Sequence, residues 1–144
     1  MRVIDQMLKE VAEGTDGINS FGHGPKSFAN VEESKFPRIW VYDTFPTDSV
    51  YKNGHMDTKY QVIMEISTLI QFDETIENVF EKGLAVVDPI WKKFITRLNR
   101  DSRNMVPIGE VRRVELLHGM DENVAGYICT FTVKPTDNVI QQCL

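Results

Sequence analysis

The residue types that could do chemistry are few and widely spaced. His23, His55 and His118 stand far apart in the chain. None sits in an HExxH run or in the paired Cys/His spacing that builds a zinc site. A metal site would have to be assembled in three dimensions, from His23, His55 and a carboxylate. The simpler reading is two loop histidines and one at a strand end, so no metal and no cofactor is expected. Cys129 alternates with Tyr127 and Phe131 in an apolar run and reads as a buried structural thiol. Cys143 lies one residue from the C-terminal Leu144. Gly14, Gly17, Gly22 and Gly24 neither follow a strand nor open a clear helix, so neither nucleotide fingerprint is met. No G-x-S-x-G elbow is present. Carboxylates are plentiful, yet no pair stands out from the acidic background. No catalytic residue is assigned, and the chain reads as a non-enzyme.

Composition narrows the class further. A length of 144 residues fits one domain, and 42% apolar with 26% charged residues is ordinary for a globular fold. The net charge is −5 and no run of five basic residues occurs, which argues against a protein devoted to gripping nucleic acid. The opening MRVIDQMLKEVAEG is punctuated by Asp5, Lys9, Glu10 and Glu13, unlike a signal peptide or anchor. No run approaches the roughly 18 apolar residues of a membrane span. Two cysteines make no disulfide framework, and a reducing cytoplasm is expected as the place of maturation.

The elements that must position these residues follow from periodicity. Val3, Ile4, Met7, Leu8 and Val11 fall on one helical face, and Gly14 and Gly17 supply a stop. Residues 15–35 lose periodicity and read as one long loop, which Phe21, Phe28 and Val31 could pin to the core. A short strand covers Phe36 to Tyr42, with Ile39 and Val41 alternating against Arg38, Trp40 and Tyr42. The turn-rich FPTDSVYKNGHMDTK reads as a long exposed connection, with Asn53-Gly54 its tightest point. Tyr60 to Ile70 is the longest strand expected. Asp73 takes the N-cap position of a helix whose apolar stripe runs to about Asn99. Pro89 should kink or split that helix. Two further strands, Glu110 to Leu117 and Gly126 to Lys134, flank a turn at residues 119–123, and a short tail follows at 135–144. The fold class expected is α+β: helix, β-hairpin, long helix, β-hairpin, with helices packed on one face of a mostly antiparallel sheet.

Trp91 falls on the long helix's apolar stripe and is assigned to the core. Trp40 lies on a strand that is apolar on both faces. Such a strand either meets another subunit or is sandwiched between helices of its own chain.

This order of elements resembles the tail terminator and tail-completion proteins of long-tailed bacteriophages. The resemblance is carried by Phe36 to Tyr42, by the helix from Asp73, and by the stretch Asn123 to Val133 with its aromatic-rich end. It covers most of the chain and rests on layout and length rather than on a diagnostic motif. It implies a homo-oligomer, a hexameric ring, that caps the tail tube and joins it to the neck and connector in the virion. DNA would be passing cargo, and such proteins bring no catalytic residues to carry over. Trp40, Tyr42, Tyr51 and Phe131 are then the candidates for subunit contacts. A tube-capping adaptor of a contractile injection system would have the same layout. The alternative class is a small-ligand or enzyme domain with a pocket near Trp40, His23 and His55.

Overall fold

The computed structural model describes residues 3–25, 35–70, 76–100, 105–106, 109–116 and 124–135. In chain order these form α1 (Val3–Glu13), β1 (Ser20–His23), β2 (Arg38–Lys52), β3 (His55–Leu69), α2 (Ile76–Arg100), β4 (Met105–Val106), β5 (Val111–Leu116) and β6 (Val124–Pro135). The fold is α+β. The strands form one sheet in the order β1-β2-β3-β6, with β4 and β5 both pairing along the far edge of β6. Among the described residues only the β1–β2 pair is parallel.

Both helices cover the same face of this sheet. Ile4, Met7, Leu8 and Val11 recur at helical spacing on α1 and are buried, as are Val87, Ile90, Phe94 and Leu98 on α2. They meet the inward side chains of the central strands: Ile39 and Val41 of β2, Val62, Met64 and Ile66 of β3, and Tyr127, Cys129, Phe131 and Val133 of β6. The register explains the layering, because Val41 pairs with Met64 and Met64 with Cys129, so one row of core residues crosses three strands. Burying each of these large side chains contributes roughly 1.5–3 kcal/mol.

The opposite face of the sheet carries a buried charge network. The guanidinium of Arg38 donates to Glu65 Oε2 at 3.2 Å, and both side chains are 1% exposed. Ser67 Oγ donates to the same oxygen at 2.8 Å, and the Tyr42 hydroxyl donates to Oε1 at 2.6 Å. The rings of Phe36 and Trp40 lie 4.8 and 5.9 Å from the guanidinium carbon. Three donors on one carboxylate are what makes a buried ion pair tolerable, since desolvation otherwise outweighs the attraction.

Four sequence expectations change here. The irregular stretch 15–35 contains β1, which the parallel register Phe21 with Ile39 and His23 with Val41 attaches to the sheet. The long connection is instead the outer half of two 15-residue strands joined by two residues. Lys52 pairs with His55, and Asn53 (φ 53°) and Gly54 (φ 80°) both take the left-handed conformation of a tight hairpin turn. Its polar sequence hid the strands because most side chains there face water on both sides. Pro89 neither splits α2 nor ends it. Pro89 and Ala85 both lie on the exposed side, so the carbonyl that loses its partner faces solvent. A fourth difference is β4, a two-residue strand that sequence patterning did not predict. The N-cap at Asp73, the turn at 119–123 and Cys143 lie outside the described residues.

Candidate functional site

The hairpin of β2 and β3 outruns the sheet that holds it. β1 reaches β2 only from Arg38 to Val41, and β6 reaches β3 only from Tyr60 to Leu69. Among the described residues, Asp48–Lys52 and His55–Lys59 therefore pair with nothing but each other. The result is a two-stranded ribbon projecting about 16 Å, at roughly 3.3 Å per residue over five residues. Two register shifts, at Val41/Asp43 and Pro46/Asp48, mark its root. Bulges there bend the strand and increase its twist, and Pro46 sits at one of them, where a missing N–H is tolerated.

Cross-strand polar contacts hold the ribbon. Ser49 Oγ and Thr58 Oγ1 lie 2.9 Å apart, and Thr47 Oγ1 donates to the Lys59 carbonyl at 3.3 Å. Toward its end it carries Val50 at 58% and Tyr51 at 72% exposure. A two-stranded hairpin with no third strand is marginally stable in water. Holding a tyrosine and a valine out into solvent on such an element is a feature of contact surfaces. The sheet's other border presents β5, which pairs only with β6 among the described residues and exposes Val114 at 59%.

The four residues expected to meet other subunits divide unequally. Tyr51 stands open on the ribbon. Trp40 is used within its own chain: its ring lies over Gly22, where a Cβ would collide with it, and its Nε1–H donates to the Gly24 carbonyl at 2.8 Å. Half-buried, it covers the β1 edge. Tyr42 is the extra residue of the first bulge and is held by Glu65. Phe131 is 2% exposed in the core beneath the helices and offers no surface to a second chain. Its alternation with Cys129 and Tyr127 put it on the helix-covered side.

The histidines are not brought together. His23 is exposed at the end of β1, beside Val41 of β2, while His55 pairs with Lys52 at the ribbon turn. Eleven residue steps along β2 separate those partners, roughly 35 Å of strand. His23 lines a polar cleft of about 450 Å³ with Asp5, Tyr42, Asp43 and Thr44, in which Thr44 Oγ1 donates to Asp5 at 3.0 Å. His118 lies outside the described residues. Among the described residues no group of three His, Cys, Asp or Glu is placed to hold a metal, and no helix is long and apolar enough to cross a membrane.

Cys129 is fully buried, and burial pushes its thiol up to about 12 despite the Trp91 indole N–H donated to its sulfur at 2.9 Å. A thiol held protonated in this way is no nucleophile at neutral pH.

One cluster escaped the sequence reading. Arg113 of β5 donates to Asp88 of α2 at 2.6 Å, and its guanidinium lies 4.3 Å from the ring centres of both Trp91 and Tyr127. Lys92 reaches the other oxygen of Asp88 at 2.8 Å. The hydrogen bonds from Lys92 and then Arg113 hold the Asp88 carboxyl below its ordinary value. Every charge here is answered locally, so the cluster works as a strap tying α2 to the β5–β6 edge. The only signal for it in the sequence was two arginines inside a short strand.

Compared with known proteins, the chain matches no protein-family model and shows no significant match to any curated protein.

Proposed function

We propose that this chain is a structural assembly subunit that joins copies of itself into a closed ring through its projecting β-ribbon. The observation that carries this reading is Tyr51, 72% exposed on a two-stranded arm that receives no support from the rest of the sheet. The arm leaves the sheet on one side, and the β5 border with exposed Val114 lies on the other. Two unlike surfaces on one subunit make head-to-tail contacts, which close into rings when the rotation permits.

The layout resembles tail terminators, and the function that fits both layout and arm is the capping of a phage tail tube. In that role a hexameric ring would sit between the tube protein and the neck or connector in the virion, with DNA passing through. A tube-capping adaptor of a contractile injection system is the same reading in a different particle. The alternative, a small-ligand or enzyme domain with a pocket near Trp40, His23 and His55, has less support, because His23 and His55 stand at opposite ends of the ribbon strand.

Native mass spectrometry of the chain, alone and mixed with a phage tail-tube protein, tests the proposal. A multimer of defined subunit number, formed alone or on the tube, is expected. A chain that stays monomeric in both samples would contradict it.

A further inference from the structure

Where the end of α1 meets the C-terminal half of α2, the surface folds into a cleft of about 660 Å³. Lys92, Lys93, Thr96, Arg97 and Arg100 line it from α2, and Asp16 stands opposite. Among the described residues Lys92 is engaged through Asp88. Among the described residues Lys93, Arg97 and Arg100 form no ion pair. Arg97 is exposed, and its guanidinium lies over Gly14, where a Cβ would collide with it. The dipole of α2 favours Arg97 and Arg100 at its last turn, but it does not account for Lys93 or for the concave shape. In a chain of net charge −5, three cations in one hollow with no ion pair among the described residues are an electrostatic exception.

We propose that this cleft binds a compact polyanion, the di- or triphosphate group of a small molecule. From Lys93 to Arg100 the helix rises about 10 Å, at 1.5 Å per residue, which matches several negative charges close together. Guanidinium groups engage phosphate oxygens bidentately, and the Thr96 hydroxyl adds a neutral donor. The volume falls in the usual range of small-molecule sites. Duplex DNA fits less well, since it needs cations spread along a longer track and an overall charge that attracts it. Among the described residues no aromatic side chain lines the cleft, so the recognition argued is of the phosphate groups rather than of a base. This site is independent of ring assembly.

Isothermal titration calorimetry of the intact chain at low salt, with sodium tripolyphosphate, ATP and a short DNA duplex in parallel, tests this. Saturable binding is expected for tripolyphosphate and for ATP at comparable affinity. The double variant Lys93→Ala/Arg100→Ala should weaken both by roughly tenfold or more, each charge-assisted bond lost being worth about that factor. Asp16→Asn should strengthen binding by about threefold, because it removes a like charge from the rim. All three side chains are exposed, and an unchanged melting temperature verifies that the variants fold. The proposal is overturned if tripolyphosphate fails to saturate, or if the double variant binds as well as the wild type. Duplex DNA binding more tightly than tripolyphosphate would overturn it in favour of a nucleic-acid site, and ATP binding far more tightly would do so in favour of a base-reading one.

Discussion

Tyr127 and Tyr51 lie on long strands of the same sheet and are held in opposite ways. Tyr127 is 7% exposed, with the Arg113 guanidinium over its ring and Trp91 tilted against it at 6.3 Å. Burial raises the pKa of its hydroxyl. Tyr51 is 72% exposed and, among the described residues, pairs in register with Met56 across the ribbon alone. Helices, strap and buried ion pair all serve the base of the sheet, and none of them reaches the arm. The difference teaches that, among the described residues, the arm contributes little to the stability of the isolated chain.

The comparison breaks most easily at the base. Replacing Glu65 by Ala leaves Arg38 buried without its carboxylate and should cost about 3–5 kcal/mol in chemical denaturation. If that variant is as stable as the wild type, the network on the helix-free face does not organise the sheet. Cys129 gives a second measure of how tightly the base is closed. In a Cys143→Ser background its thiol should label at pH 8 at least about a thousandfold more slowly than a free thiol, given burial and the raised pKa. Fast labelling of the native chain would show that the layer between α2 and the sheet opens readily.

Arg113→Ala removes two ring contacts and a half-exposed ion pair, and should cost about 1–2 kcal/mol in the same denaturation experiment. The acid side has a definite sign. Asp88 has a folded pKa below its ordinary 3.8, so its contribution is complete above that value and is lost as pH falls through the folded pKa. Wild type and Asp88→Asn should therefore differ in melting temperature near neutrality and converge as pH falls through the lowered pKa of Asp88. A gap that persists in acid would mean that the strap acts through packing alone. Smallest of all is the effect expected on the arm: Tyr51→Ser should change the stability of the monomer by under about 0.5 kcal/mol.

The base was largely legible in the sequence because its elements have one buried face. Ile4, Met7, Leu8 and Val11 announce α1, and Val87, Ile90, Phe94 and Leu98 announce α2. The alternation of Tyr127, Cys129, Phe131 and Val133 marks β6, and Asn53-Gly54 marks the turn. The arm was not legible as strand, because alternation appears only where one face is dry, and Asp48 to Tyr51 are exposed on both. Short β1 carries no pattern of its own; it exists through its pairing with β2. Arg38 with Glu65, and Arg113 with Asp88, join residues 27 and 25 positions apart, and no local rule connects such pairs. Of the contact candidates, Tyr51 was named without its setting, and Phe131 was misjudged because its inward face was not weighed against the helices above it.

Sedimentation velocity on the wild-type chain and on Tyr51→Ser, at matched concentrations of tens of micromolar with and without the tube protein, tests the central claim most directly. The wild type is expected to sediment as a closed multimer, alone or with the tube, and Tyr51→Ser as a monomer with an unchanged melting temperature. A wild type that remains monomeric in every mixture, or a Tyr51→Ser variant that assembles as fully as the wild type, would contradict assembly through the arm.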